Sequence, residues 1–251
     1  MKKALRNKAL TLLLALLALG LAAWSLVAAE PQPAGQVEDV TGQVEAQSPS
    51  SSARMLAKGN PVFAQDVITT KTDKDKARIK FLDESVLEIG PSSQMALAGF
   101  AFDPADKTKS NQSIKLARGI FRYVTGKVVA QNPDNLKMQS PLAVIGIRGT
   151  TTDHWIQAKE KMQNGSPVWE DQAELHSLRE TTTHSQVTVQ TETERLVLTK
   201  PGDVAWVRPN LPGEVRALTP EEMQDFARTP FSPEPFDPAP RHGLTGGGTG
   251  E

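Results

Sequence analysis

The chain has 251 residues, of which 38% are hydrophobic, 23% are charged and 5% are aromatic. This balance suits one or two globular domains with a core built mainly from aliphatic side chains. The formal net charge is −1, which gives no electrostatic footprint for nucleic acid. The sequence has no cysteine, which excludes disulfides, thiol catalysis and a lipid anchor attached to cysteine.

Residues 1–29 have the pattern of an export signal. A basic start, MKKALRNK, precedes a mostly apolar run of 21 residues, Ala9 to Ala29. Small residues at the end of this run predict signal-peptide cleavage after Ala29. The run is also long enough to cross a bilayer, so an uncleaved inner-membrane anchor is the alternative. Either outcome predicts a periplasmic protein that contacts a membrane only through this segment.

Residues 30–209 consist of short runs of Val, Ile, Leu and Thr between turns rich in Gly, Asp, Asn, Pro and Ser. Residues 78–81 alternate between charged and apolar, and the turn 83–85 separates them from the returning run Val86-Leu87-Glu88-Ile89, as in a β-hairpin. This spacing predicts an all-β domain of many short strands, either a sandwich or a solenoid-like barrel.

Two segments depart from this pattern. Residues 157–173 are polar and contain Gly165 and Pro167, so we expect a long loop, which makes them a candidate functional loop. In residues 210–251, Thr219 as N-cap and Pro220 at the first helical position predict a short helix that ends near position 228. Proline and glycine dominate the remainder, for which we expect a disordered tail.

The segment SPLAVIGIRGTTTD, residues 140–153, resembles the signature of the FecR-like domain of bacterial envelope proteins. Upstream, residues 56–70, 77–97 and 116–124 are also similar to family segments, although Asn60 and Glu84 stand where the family has Asp and Gly. The resemblance covers residues 35–155 well and 175–207 loosely. The signature positions that match are Pro141, Ala143, Gly146, Arg148, Gly149 and Thr150.

The resemblance implies a relative of iron-siderophore signalling regulators, which have a cytoplasmic anti-sigma segment, one membrane span, this β-region and a small α/β domain. Here eight residues precede the apolar run and residues 210–251 are rich in proline, so we do not carry the anti-sigma role over. We expect a stand-alone exported module that binds an unidentified envelope protein in cell-envelope signalling. The alternative is a module that binds peptidoglycan or another polysaccharide.

Three residues are candidates for binding. Residues 142–147 are apolar at every position, which predicts a strand buried on both faces with Arg148 at its end, on the same face as Leu142. An arginine there can pin a turn through its five donors, or hold a carboxylate or another anion. Trp155 and Trp169 are candidates for stacking on a glycan, with core packing as the alternative for both.

No pattern in the sequence predicts an enzyme or a metal site. GxSxG, P-loop, GxGxxG and HExxH motifs do not occur, which leaves no recognisable nucleophile, phosphate loop or zinc helix. His176 and His184 are spaced to meet across a hairpin, but without an acidic cluster they make a weak metal site. We therefore expect no catalytic residue, metal ligand or cofactor.

Overall fold

The computed structural model describes residues 32–49, 51–164 and 166–227, with the backbone alone at Pro167 and 181–184. The predicted export signal and the predicted disordered tail lie outside these residues. Within the described part, no helix is both long and apolar enough to cross a membrane.

Strands make up most of the described chain, and the helices are short. The strands are β1 (Pro33–Thr41), β2 (Val44–Gln47), β3 (Arg54–Met55), β4 (Pro61–Phe63), β5 (Val67–Thr70), β6 (Lys76–Phe81), β7 (Val86–Ile89), β8 (Gln94–Ala101), β9 (Asn111–Val124), β10 (Leu136–Gln139), β11 (Val144–Gln163), β12 (Ser166–Gln190), β13 (Arg195–Leu198), β14 (Asp203–Arg208) and β15 (Leu211–Ala217). The helices are α1 (Lys127–Gln131) and α2 (Pro220–Phe226), with 3₁₀ turns at Lys107–Lys109 and Pro133–Asn135.

All the described strands belong to one hydrogen-bonded sheet, which is not closed into a barrel. Its main path runs β15-β14-β12-β11-β10-β9-β7-β6-β1-β4, and the other strands join from the side. The first part of β9 pairs with β8 and β10, and its last part pairs with β7 and β11. Gly119, with φ of +103°, lies between these two parts. The predicted all-β class is thus confirmed, as one open sheet that branches at shared strands.

Each face of the central strands carries a hydrophobic cluster. Phe121 belongs to the main cluster and Ile120 to a second, smaller one, because successive residues of a strand point to opposite faces. The main cluster is largely aliphatic, in keeping with the low aromatic content. The second cluster is completed by Phe226 of α2, which is buried, and burial of such a side chain contributes about 1.5–3 kcal/mol.

The helix α2 follows the sequence signals closely. Thr219 is its N-cap and forms a capping box with Glu222, and Pro220 is the first helical residue. Glu222 also receives two hydrogen bonds from the guanidinium of Arg216, at 2.6 and 2.8 Å. This ion pair lowers the pKa of Glu222. The predicted helix is confirmed, and it ends at Phe226 rather than near position 228.

Residues 157–173, expected to be a loop, form the outer half of a β-hairpin. The pairing of β11 with β12 continues to the pair Gln163 and Ser166, and Asn164 at the tip adopts a φ of +51°. Both faces of this two-stranded arm meet solvent, so its side chains need not alternate between apolar and polar. The expectation of a loop was therefore wrong, because it depended on that alternation.

The sheet also extends beyond residue 209, where the β domain was expected to end. The strand β15 contains Pro212 and Gly213, which read as turn residues in the sequence. Proline is tolerated in a strand at the edge of a sheet, where its missing N–H faces no partner, and β15 is such an edge strand. The expectation that residues 210–251 hold only a helix and a tail is corrected accordingly.

Candidate functional site

The signature segment forms the β10–β11 turn and the first part of β11. Pro141 lies exposed in the turn. A Cβ at Gly146 would lie 2.5 Å from the hydroxyl oxygen of Thr188, so glycine leaves room for the neighbouring strand. The backbone then bulges between Arg148 and Thr150, and Gly149 adopts a φ of +56° there. The glycines of the signature therefore have a local structural purpose.

Burial along this segment differs from the expectation. Ala143, Ile145 and Ile147 are buried in the main cluster, whereas Val144 on the other face is 47% exposed. Arg148 lies on the same face as Val144 and is exposed. The prediction of a strand buried on both faces was wrong, because no described element covers the outer face here.

The turn after Arg148 is held by other groups. Thr150 is buried, and its N–H donates to the hydroxyl oxygen of Thr125 at 3.1 Å. The hydroxyl of Ser185 donates to the carbonyl oxygen of Gly149. Among the described residues, no hydrogen bond or ion pair involves the side chain of Arg148. Its two predicted roles, turn pin and anion ligand, therefore stay predictions, and the first can be tested directly.

We expect Arg148→Ala to change the free energy of unfolding by less than about 0.5 kcal/mol, because an exposed side chain without such contacts contributes little. Chemical denaturation of the purified protein measures this. Thr150→Val is the matched control in the same bulge, and loss of its buried hydroxyl should cost about 1–3 kcal/mol. A decrease of more than about 1 kcal/mol in the free energy of unfolding of Arg148→Ala would instead support a role for Arg148 in holding the turn.

The two candidate tryptophans lie in different environments. Trp155 is half-buried in the second cluster and meets the ring of Phe226 edge-on, with centroids 6.4 Å apart. Trp169 is 50% exposed on the hairpin arm, and the guanidinium of Arg118 lies 4.4 Å from its ring centroid. No described contact joins these tryptophans to each other or to Arg148. The three predicted residues thus do not form one site.

A row of alternating charges crosses the face that carries the second cluster, and the sequence analysis did not identify it. Glu88 is the register partner of Arg122, which is in turn the partner of Asp153. Each stands at an alternating strand position, which reads as solvent-facing in a sequence. This charge row consists of Glu38, Arg78, Glu88, Arg122, Asp153 and Arg179.

The centre of the charge row is withdrawn from solvent. Asp153 is 1% exposed and accepts hydrogen bonds from Nε of Arg122 at 2.7 Å and from Nη1 of Arg179 at 3.2 Å. Burial lowers the pKa of Arg122, but the charge and hydrogen bonds of Asp153 together with the charges of Glu88 and Glu180 outweigh burial, so the pKa is raised. Burial raises the pKa of Glu88 despite its cationic neighbours. These pairs fit a structural role better than a ligand site.

A second polar group, also missed in the sequence, lies on the main-core face. His154 and His176 are opposite each other on β11 and β12 and are fully buried. Glu174 contacts His176 and also binds the β10–β11 turn through the hydroxyl of Ser140 and the N–H of Leu142. In the sequence, the spacing of His176 and His184 suggested a different partner for His176. The side chain of His184 is not among those described.

The β10–β11 turn forms one wall of a cleft of about 520 Å³. Residues 115–117 of β9 and residues 190–192 at the end of β12 form the other walls, so that Lys115 and Glu192 place opposite charges around a partly apolar floor. In residues 32–49, 51–164 and 166–227, no group of three or more His, Cys, Asp or Glu side chains is arranged to hold a metal ion.

Comparison with known proteins finds that one part of the chain is similar to a family. No curated protein matches the sequence. Two crystal structures of a proposed anti-sigma factor from Parabacteroides distasonis ATCC 8503, at 2.50 and 1.65 Å resolution, align with TM-scores of 0.42 and 0.41 and identities of 13% and 12%. Each alignment covers 60% of this chain and 59% of the solved chain. The model of the FecR protein family matches residues 66–167, which confirms the resemblance and identifies this span as a FecR-type segment.

Proposed function

We propose that the protein is an exported, non-enzymatic envelope module that binds another protein in cell-envelope signalling. The FecR-type segment at residues 66–167 supports this, since FecR-type proteins are regulators rather than enzymes. The pattern of an export signal in residues 1–29 supports a periplasmic location. The physical feature that carries the proposal is an unpaired edge of the sheet.

The strand β15 is that edge. It pairs with β14 on one side, and no other described strand pairs with it. Leu211 and Val215 are 53% and 42% exposed. The N–H of Gly213 points away from β14, because it donates to the carboxylate of Glu194. Backbone N–H groups alternate in direction along a strand, so the N–H of Val215 points the same way.

Such an edge can bind an extended segment of a partner as an additional strand. The unpaired N–H and C=O groups supply main-chain hydrogen bonds, and the exposed side chains select the partner. Glu194 occupies the edge at Gly213, and the carbonyl oxygen of Ala217 accepts from Nη1 of Arg216. The outward backbone groups of Val215 are therefore the part that remains open among the described residues. A partner with a short extended segment fits this edge.

The capture of an envelope protein by the immobilised chain tests the proposal. We expect Val215→Pro to abolish capture from solubilised envelope extract, because proline removes the outward N–H donor without altering the ladder to β14. Val215→Thr is the control, since it keeps both the N–H and a β-branched side chain, and it should capture as the original does. Thermal unfolding of all three checks that the fold persists.

Capture that survives Val215→Pro would place the binding elsewhere and contradict strand addition at β15. Removal of residues 229–251 then tests whether the predicted tail carries it. Retention of wall fragments alone, or of nothing beyond a blank matrix, would contradict protein binding altogether.

One observation favours the alternative of glycan binding. Trp155 is packed under α2, but Trp169 keeps half of its surface exposed beside the guanidinium of Arg118. Aromatic faces next to polar groups suit sugar rings. Titration of muropeptides against tryptophan fluorescence decides: a saturable shift that is lost in Trp169→Ala would favour this alternative over protein binding.

A further inference from the structure

The buried histidine pair sits within a continuous line of hydrogen bonds. The two Nδ1 atoms of His154 and His176 are 3.0 Å apart. The hydroxyl oxygen of Thr152 lies 2.8 Å from Nε2 of His154, and Oε2 of Glu174 lies 3.1 Å from Nε2 of His176. The hydroxyl of Ser140 donates to the same carboxylate oxygen at 2.5 Å. We call these five side chains the histidine chain.

The geometry allows one arrangement of protons for each state of the carboxyl group. With no proton on Glu174, its carboxylate is an acceptor only, so Nε2 of His176 carries a proton and donates to it. In neutral His176, Nδ1 is then an acceptor, so Nδ1 of His154 donates across the pair. Nε2 of His154 is left as an acceptor for the hydroxyl of Thr152. All these hydrogen bonds therefore run in one direction, towards the carboxylate.

One added proton fits the same heavy-atom positions. If it reaches Glu174, the carboxyl group donates to His176, His176 donates to His154 through Nδ1, and His154 donates to the oxygen of Thr152. The three hydrogen bonds between Thr152 and Glu174 reverse and none of them is lost, while Ser140 still donates to the carboxyl group. The buried negative charge is neutralised. A second proton does not fit, because both Nδ1 atoms would then carry hydrogen and face each other across 3.0 Å.

We propose that the histidine chain is a buried site that binds a single proton, and that a second proton forces the two histidines apart. Glu174 also accepts from the N–H of Leu142 at 2.9 Å, which ties Glu174 to the β10–β11 turn. Separation of the two histidines therefore weakens the hydrogen bonds between Glu174 and this turn. That turn is a wall of the cleft described above. Acidification is thereby coupled to the shape of the cleft.

Among the described residues, the side chains that face the histidine chain from β9 and β14 are uncharged. From β9, Phe121 faces His154 and Tyr123 faces Thr152, and burial raises the pKa of Tyr123, so its phenol stays neutral. From β14, Ala205 faces His176. The charge row lies on the opposite face of the sheet. Asp171, further along β12, has its pKa raised by burial and by Glu174.

The direction of the pH effect follows from His154. Burial, and then the neighbouring His176, lower the pKa of His154 well below its ordinary value. The unfolded chain therefore binds a proton at this residue where the folded protein does not. Stability from this source is fully present above the unfolded pKa of about 6.5 and falls as the pH decreases below it.

Histidine tautomers measured by NMR test the proton positions in the full chain, labelled with ¹⁵N at histidine. At about pH 7.5, above the ordinary histidine pKa, we expect protonated Nδ1 in His154 and protonated Nε2 in His176. The variants His184→Gln and His242→Gln assign the remaining signals. Two identical tautomers at the pair would overturn the proposal.

Glu174→Gln gives a second and sharper test. The side-chain amide keeps an acceptor for Leu142 and presents a donor to Nε2 of His176, so both tautomers should be reversed. Unreversed tautomers in a folded variant would contradict the proposed chain. If the variant fails to fold, the tautomers of His154 and His176 in the unaltered protein still decide whether the proposal holds.

Amide hydrogen exchange tests the coupling to the turn. Between about pH 7.5 and about pH 5.5, the Leu142 amide should lose about tenfold more protection than the Val189 amide, corrected for intrinsic exchange, because one pKa unit corresponds to a factor of ten. Val189 is the control because it pairs within the β11–β12 ladder. An unchanged ratio would exclude the coupling.

Discussion

Replacement of Asp153 by alanine is expected to lower the free energy of unfolding by about 3–5 kcal/mol, because it leaves buried arginines without their shared carboxylate. Asp153 is 1% exposed and pairs with both Arg122 and Arg179. Denaturant unfolding of the purified protein, followed by circular dichroism, measures the loss. A well-expressed variant with an unchanged midpoint would show that water reaches the arginines and that the row contributes little.

Two further variants separate charge from packing in this experiment. Asp73 is exposed in a turn, and Asp73→Asn should stay within about 0.5 kcal/mol of the unaltered protein. The double variant Asp153→Ala with Arg122→Met should recover part of the loss, because one of the two arginines that shared this carboxylate is then removed. A double variant less stable than Asp153→Ala would mean that lost packing, not excess buried positive charge, causes the effect.

Gly119→Ala is expected to cost about 3 kcal/mol or more, since it combines backbone strain with overpacking. The residue has a φ of +103°, and an added Cβ would lie 2.0 Å from the hydroxyl oxygen and 2.5 Å from the Cα of Ser93. Ser93 cannot move away easily, because it is buried and its hydroxyl accepts from the N–H of Ile120. Thermal and denaturant unfolding measure the change.

Gly59→Ala is the matched control for this substitution. Gly59 has a similar φ of +85°, but an added Cβ would have no heavy atom within 4 Å. Its cost should be the backbone strain alone, about 1–2 kcal/mol. Equal losses in the two variants would show that the residues around Gly119 move aside. The conformation of β9 at Gly119 would then not depend on close contact with Ser93.

The features that the sequence predicted correctly depend on local signals. The turn of residues 83–85 separates an alternating run from a second short run, and the observed strands β6 and β7 lie on either side of it. The helix α2 has its N-cap, first-position proline and acidic first turn within four residues, Thr219 to Glu222. The family signature is also a local string. Each of these signals acts over a few residues and so can be read without knowledge of the fold.

One local signal was present and overlooked. The pair Asn164-Gly165 is typical of a two-residue hairpin turn, and Asn164 stands at the tip of the hairpin that was expected to be a loop. Polar residues on both strands hid this signal, because alternation was the criterion for a strand. The presence of Pro167 also favoured the incorrect prediction of a loop. A prediction that gave turn residues priority over alternation would have placed a β-hairpin in residues 157–173.

The histidine chain could not be predicted even from a correct hairpin. Counted from the pair Gln163 and Ser166 without interruption, His154 would lie opposite Leu175. The bulge between Gln157 and Ala158 shifts the register by one residue and brings His154 opposite His176. A bulge is set by tertiary packing rather than by its own sequence. The residues of the charge row are brought together by strand order across the sheet in the same way.

The charge row also has a consequence for how the chain finds its native pairing. Residues of opposite sign stand directly opposite each other from β6 to β11, at Arg78, Glu88, Arg122 and Asp153. A slip of one residue in any of these strands turns its charge into the main hydrophobic cluster, because the side-chain period is two. Mispaired intermediates would thus bury an unmatched charge. The row acts as a register marker for a sheet whose aliphatic strands otherwise resemble one another.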